Sequence, residues 1–262
     1  MGEQTTRHVL GLSGGKDSSA LAIFMRDRIP EMEYFFTDTG AELPETYDYL
    51  DRLEAFLGKP IARLSAKRDF DHLLKVKNNF LPSPNTRWCT RELKIEPFEE
   101  WIGTSPAVTY IGIRADEARD GYKSTKPNIT PVFPFKEAGL GLADIQRILA
   151  ESGVGIPEYY KWRTRSGCYF CFFQRKSEWV GLAKHHPDLF EKAKAYEKPA
   201  DAETSSFTWS QGETLTELIA RAADIEKATI LRSESQKRRT WQEILAQAAD
   251  DEEDESCLIC SL

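Results

Sequence analysis

Apolar residues between Arg7 and Ile113 come in short runs that alternate with amphipathic stretches. Arg7 to Leu12, Glu33 to Thr37, Pro60 to Leu64 and Val108 to Ile113 are runs of strand length, whereas Ser18 to Ile29 and Glu45 to Leu57 carry helical spacing. In the first of these helices Ala20, Leu21, Ile23, Phe24 and Met25 cover most of the circumference, which predicts burial against a sheet. Strands alternating with helices predict an α/β fold with a doubly wound, mainly parallel sheet. Ligands of such sheets gather at the carboxyl ends of the strands, where Ser13, Asp38 and Arg114 fall. Beyond Pro131 the character changes. Pro131, Pro134 and Gly139-Leu140-Gly141 break regular structure, and helical patterns then recur at Leu142 to Ser152, Glu178 to His185, Pro187 to Lys198 and Leu215 to Ala228. The expected organisation is an α/β domain over 1–135, a helical part over 136–249 and a flexible tail over 250–262, where the acidic run Asp250 to Glu255 leads to Cys257 and Cys260.

At 262 residues and 40% hydrophobic, the chain can bury one substantial core with an appended part. A net charge of −7 argues against a surface that coats nucleic acid generally, though a local basic groove is compatible with it. The sequence has no run of about 18 apolar residues and its charged N-terminal stretch lacks a signal-peptide core, so the expectation is a cytoplasmic protein with no membrane partner. Four of the five cysteines form two Cys-x-x-Cys pairs, Cys168/Cys171 and Cys257/Cys260. Such usage suits a reducing compartment and metal, iron–sulfur or redox chemistry rather than a disulfide framework.

The densest chemistry lies at Ser13-Gly14-Gly15-Lys16-Asp17-Ser18, between the first strand and the first helix. Two glycines allow a sharp turn and close approach of the backbone to an oxyanion, the serines offer hydroxyls, Lys16 adds charge, and the helix presents unpaired N–H groups. A bare turn does not need these residues in this order. The Walker A pattern is excluded, because Leu10 and Asp17 stand where it needs a glycine and a hydroxyl residue. The run instead resembles the PP-loop of ATP pyrophosphatases, which implies ATP with Mg2+ bound through its pyrophosphate, attack of an acceptor on the α-phosphorus, and release of pyrophosphate.

Three further segments resemble the phosphoadenylyl-sulfate (PAPS) reductase branch of that superfamily. Asp38-Thr39-Gly40-Ala41-Glu42-Leu43-Pro44-Glu45-Thr46 is similar to its Asp-Thr-Gly…Pro-Glu-Thr segment, which implies that Asp38 and Thr39 hold the nucleoside. Arg87-Trp88-Cys89 through Lys94 and Pro97 is similar to its Arg-x-Cys…Lys…Pro segment, which implies substrate binding by Arg87 and Lys94. Two arginines and a lysine beside Cys89 also make it a better nucleophile or metal ligand. Gly112-Ile113-Arg114 with Glu117 and Arg119 is similar to a segment whose arginines bind phosphate or sulfate; bidentate guanidinium donors suit that role. The implied catalytic set is Lys16, Cys89, Arg114 and Arg119.

Aromatic residues surround Cys168 and Cys171 in Ser166-Gly167-Cys168-Tyr169-Phe170-Cys171-Phe172-Phe173, a dry setting that suits an iron–sulfur cluster. Cys89, Cys168 and Cys171 together supply three ligands, and in tRNA-thiolating and DNA-phosphorothioating relatives an iron left open in this way is thought to hold an extra sulfur. Cluster-bearing relatives often have two adjacent cysteines where this chain has Cys89-Thr90. Zinc is the alternative, through Cys168, Cys171, Cys257 and Cys260, and a dithiol without metal is the third outcome. The resemblance implies ATP-dependent sulfur transfer, with a sulfur donor protein and a tRNA, DNA or small-molecule acceptor. Two other functions compete: PAPS or adenylyl-sulfate reduction, and a non-catalytic nucleotide-binding role beside a nucleic-acid or ribonucleoprotein partner.

Overall fold

The computed structural model describes residues 5–118, 124–198 and 207–238. Arg119, Cys257 and Cys260 lie outside them. The chain divides into two compact units. The first spans residues up to Lys75 and from Arg87 to Cys168 and contains all five described strands.

Its strands are β1 (Arg7–Gly11), β2 (Glu33–Asp38), β3 (Ile61–Ser65), β4 (Ala107–Tyr110) and β5 (Ile129–Val132). They form a parallel sheet in the order β3-β2-β1-β4-β5. The pleat sends alternate residues to opposite faces, and both faces are apolar here. Leu10, Tyr34 and Phe36 pack on one side with α1 (Lys16–Met25) and α2 (Pro44–Leu57); Val9, Phe35 and Ala107 pack on the other with Phe98 and Ile102. That two-sided burial makes the fold doubly wound. Pro44 opens α2 at a position where its missing N–H costs nothing, and Gly58, at φ 65°, closes the helix with its N–H on the Glu54 carbonyl.

Between β3 and β4 lie α3 (Phe70–Val76), the single turn α4 (Trp88–Thr90), a π-helical turn Arg91–Ile95 and α5 (Glu96–Ile102). After β5 come α6 (Pro134–Glu137) and α7 (Leu142–Ser152), the latter packed on α1. Strand β5 departs from the expectation that Pro131 breaks regular structure. It is an edge strand, where a residue without an N–H is tolerated.

Among the described residues, the second unit spans Val76 to Thr86 and Tyr169 to Arg238. It contains α8 (Lys176–His185), α9 (Pro187–Ala195), α10 (Leu215–Ala220) and α11 (Ala222–Arg238). Its core is aromatic: Phe170 stacks on Trp209 at 5.4 Å, with Tyr196 edge-on to both. The single helix expected from Leu215 to Ala228 is broken at Arg221, whose guanidinium is drawn back to Glu213 at 2.6 and 2.9 Å. Lys176 holds the same carboxylate at 2.6 Å. Arg221 and Lys176 together outweigh the desolvation of Glu213 and lower its pKa from 4.5 to about 2. A pKa depressed in the folded state stabilises above the ordinary carboxylate range, and the effect is lost as pH falls from 4.5 towards 2. Glu213→Gln is expected to cost about 1–2 kcal/mol at pH 7 after solvent screening and to flatten the acid limb of thermal melting between pH 5 and 2.5, roughly the titration window.

Candidate functional site

The site begins at the carboxyl end of β1, where the chain passes through Ser13, Gly14 and Gly15 into α1. Gly14 sits at φ 70°, and a Cβ there meets Thr46 Cγ2 of α2 at 2.6 Å, so this position requires glycine twice over. The hydroxyls of Ser13 and Ser18 lie 3.2 Å apart, and the Ser13 amide donates to Ser18 Oγ at 3.2 Å. Gly15 caps α1 without a side-chain bond, leaving the first turn's donors to partners from elsewhere. The structure places Ser13, Gly14, Gly15, Lys16, Asp17 and Ser18 in the turn from β1 into the first turn of α1.

Charge enters from β4. Arg114 follows that strand and reaches Asp17 at 3.0 Å, Asp116 at 2.8 Å and Glu117 at 2.8 Å. Burial works against the guanidinium's charge, but the three carboxylates outweigh it and raise its pKa above the ordinary arginine value. Lys16 Nζ pairs with the other Asp17 oxygen at 3.1 Å, so Asp17 bridges both cations. Gly112 lets the end of β4 approach α1. A Cβ at that position stands 3.0 Å from the Asp17 carbonyl oxygen, which is backbone and cannot swing aside. Gly112→Ala is therefore expected to destabilise the fold by about 1–3 kcal/mol, measured as a lowered denaturation midpoint at unchanged m-value.

The carboxyl end of β2 supplies the second half. Asp38 Oδ1 accepts from the Gly40 amide at 2.9 Å and from the Tyr47 hydroxyl at 2.7 Å, which fixes the turn. Thr39 donates to Glu42 at 2.9 Å and lies 3.1 Å from the thiol of Cys168. That thiol also faces Glu42 at 3.6 Å, and among the described residues the second, buried Glu42 oxygen has no hydrogen-bond partner.

Cys168 is carried there by a segment whose contacts sequence reasoning missed. Tyr159 donates to the Gly14 carbonyl at 2.8 Å, Tyr160 accepts from the Lys16 amide at 3.0 Å, and Ser166 donates to Ser13 at 3.1 Å. Arg163, 2% exposed, donates to the carbonyls of Gly167 and Cys168 at 2.9 Å each and so braces the cysteine. The adjacent tyrosines were the available signal, since phenols so close to a basic stretch are polar groups that must be satisfied.

Arg87, Cys89 and Lys94 lie half-buried on the helical stretch between α3 and α5. Cys171 belongs to the second unit. Among the described residues no three His, Cys, Asp or Glu side chains converge to hold a metal ion. No described helix is long and apolar enough to cross a membrane.

Residues 7–135 match the family described as phosphoadenosine phosphosulfate reductase domain. An uncharacterised 37.8 kDa protein of Escherichia phage 186 is 37% identical, over 74% of this chain and 75% of that protein. Two uncharacterised proteins of Methanocaldococcus jannaschii are 27% and 26% identical, and the chain spans less than half their length, 45% and 40%. A mitochondrial tRNA-specific 2-thiouridylase of Dictyostelium discoideum is 29% identical over 39% of this chain and 26% of its own. Among solved structures, a phosphoadenylyl-sulfate reductase from Candida auris in a phosphate complex shares the fold, at a TM-score of 0.51 and 17% identity over 64% of this chain and 83% of that one.

Proposed function

We propose an ATP-dependent sulfur-transfer activity from this premise: the chain belongs to the phosphoadenosine phosphosulfate reductase domain family, within the PP-loop superfamily. The donors from Ser13 to Ser18 hold the pyrophosphate of ATP, with Mg2+ as its counter-ion. Lys16 and Arg114 stabilise charge at the α-phosphorus. An acceptor oxygen attacks that phosphorus, pyrophosphate leaves, and the adenylated acceptor becomes the electrophile for sulfur. Cys168 carries the sulfur as a persulfide received from a persulfide of the donor protein; its terminal sulfur attacks the activated acceptor, AMP departs with the bonding pair, and an external thiol then reduces the resulting acceptor–S–S–Cys168 disulfide, releasing the thiolated acceptor. No step runs through a metal cluster, because the described residues offer no converging ligand set.

One observation carries this reading. A single short segment touches both halves of the site, with Ser166 on Ser13 of the loop and Cys168 on Thr39 at the end of β2. A thiol held beside a nucleotide loop suits transfer to an activated acceptor. The thiouridylase relative makes tRNA the first acceptor to test, followed by DNA and small amides or ureas. Incubation with ATP, Mg2+ and each acceptor is expected to release pyrophosphate only when the right acceptor is present. ATP binding without pyrophosphate release under any of these conditions favours the non-catalytic nucleotide-binding reading instead.

A further inference from the structure

We propose that Tyr160 gates the nucleotide loop. Its hydroxyl holds the Lys16 amide in the place of a phosphate oxygen, and ligand entry exchanges one for the other, loosening the segment that bears Cys168. The inference rests on the nucleotide reading of the loop given above.

Lys16 is the first residue of α1, and its N–H is one of the few first-turn donors an anion at this helix end can use. The Tyr160 oxygen accepts that N–H at 3.0 Å. One N–H does not serve two acceptors well. The Tyr160 ring also lies under Lys16, with Nζ 5.6 Å from its centroid, so residue 160 meets both the amide and the ammonium of the same lysine. Burial raises the phenol's pKa and keeps it neutral near pH 7. A neutral phenol oxygen is a weaker acceptor than a charged phosphate oxygen, whose hydrogen bonds are about twice as strong, so the exchange favours phosphate.

The rest of the segment determines what the exchange moves. Tyr159 and Tyr160 share one 3-10 helical turn, Glu158–Lys161, and Tyr159 is anchored on a carbonyl, Gly14 O, for which an anion does not compete. That bond is the pivot. From the turn the chain runs through buried Arg163, which grips the Gly167 and Cys168 carbonyls, so motion at Tyr160 reaches the thiol along a braced path. Nucleotide occupancy and presentation of Cys168 are thereby coupled through a segment of this chain's own backbone.

Two measurements on the full chain test this. Tyr160→Phe keeps the ring and removes only the competing oxygen, so calorimetric titration is expected to show ATP bound about 2- to 10-fold more tightly than by wild type, the range for one neutral hydrogen bond. In wild type, ATP is expected to speed tryptic cleavage after the exposed Lys161 at least about threefold, as the turn opens more often. Equal or weaker ATP binding by Tyr160→Phe overturns the gate while leaving the nucleotide reading intact, as does protection of Lys161 by ATP. Failure of both proteins to bind ATP overturns the two together.

Discussion

Cys168→Ser is expected to abolish acceptor-dependent sulfur incorporation, by roughly three orders of magnitude or more, while leaving ATP binding within about twofold of wild type. The serine keeps the contact to Thr39 and the brace from Arg163, which holds backbone carbonyls only, so the loss reports the sulfur atom itself. The same preparation separates sulfur transfer from sulfate reduction. Supplied with PAPS or adenylyl sulfate and thioredoxin, the wild-type chain is expected to form no sulfite, and Cys257→Ser and Cys260→Ser are expected to retain sulfur transfer. The acidic run before those cysteines, if held near their thiols, is expected to repel an anionic sulfonucleotide and to keep the thiols protonated, which makes them poor nucleophiles at neutral pH. Sulfite formation that depends on Cys257 or Cys260 rejects the transfer mechanism in favour of reduction.

Lys16→Ala is expected to weaken ATP binding by about 1.5–3 kcal/mol, or roughly 10- to 150-fold, the worth of a charge-assisted hydrogen bond. Two effects share a sign here. The ammonium that meets phosphate is lost, and Asp17, which Lys16 pairs at 3.1 Å, keeps only the Arg114 partner of its two cations and so turns a less compensated carboxylate towards the incoming anion. Calorimetric titration checks the value, and equal affinity for wild type and variant refutes the phosphate role of the loop.

The central sheet was legible because its information is local. Runs such as Val9-Leu10 and Phe35-Phe36 are apolar at successive residues, as strands buried on both faces require, and the intervening helices carry their own spacing. The loop was legible for the same reason, its donors being consecutive. Strand β5 was not, since Pro131 reads locally as a breaker and only its place at the sheet edge makes it acceptable. The helix break at Arg221 likewise depends on a partner, Glu213, outside the helical pattern. The polar contacts that finish the site were the least visible. Tyr159, Tyr160 and Ser166 stand 145, 144 and 153 residues from the loop atoms they touch, and no local periodicity carries a pairing over that distance.

Pro131 also bears on the company the sheet keeps. The carbonyls of Asn128 and Val132 accept from Ala107 and Ile111, so those residues face inward and the alternate position, 131, turns its nitrogen to the outer edge. The outer edge therefore lacks a donor at its midpoint. On the opposite flank, β3 carries Arg63, ion-paired with Asp51 at 2.8 Å, a charge that an approaching foreign strand has to desolvate. Edge-to-edge growth into fibres is favoured by a margin that is at once unbroken in its amides and uncharged. Neither flank offers one, and among the described residues the order β3-β2-β1-β4-β5 ends at five strands.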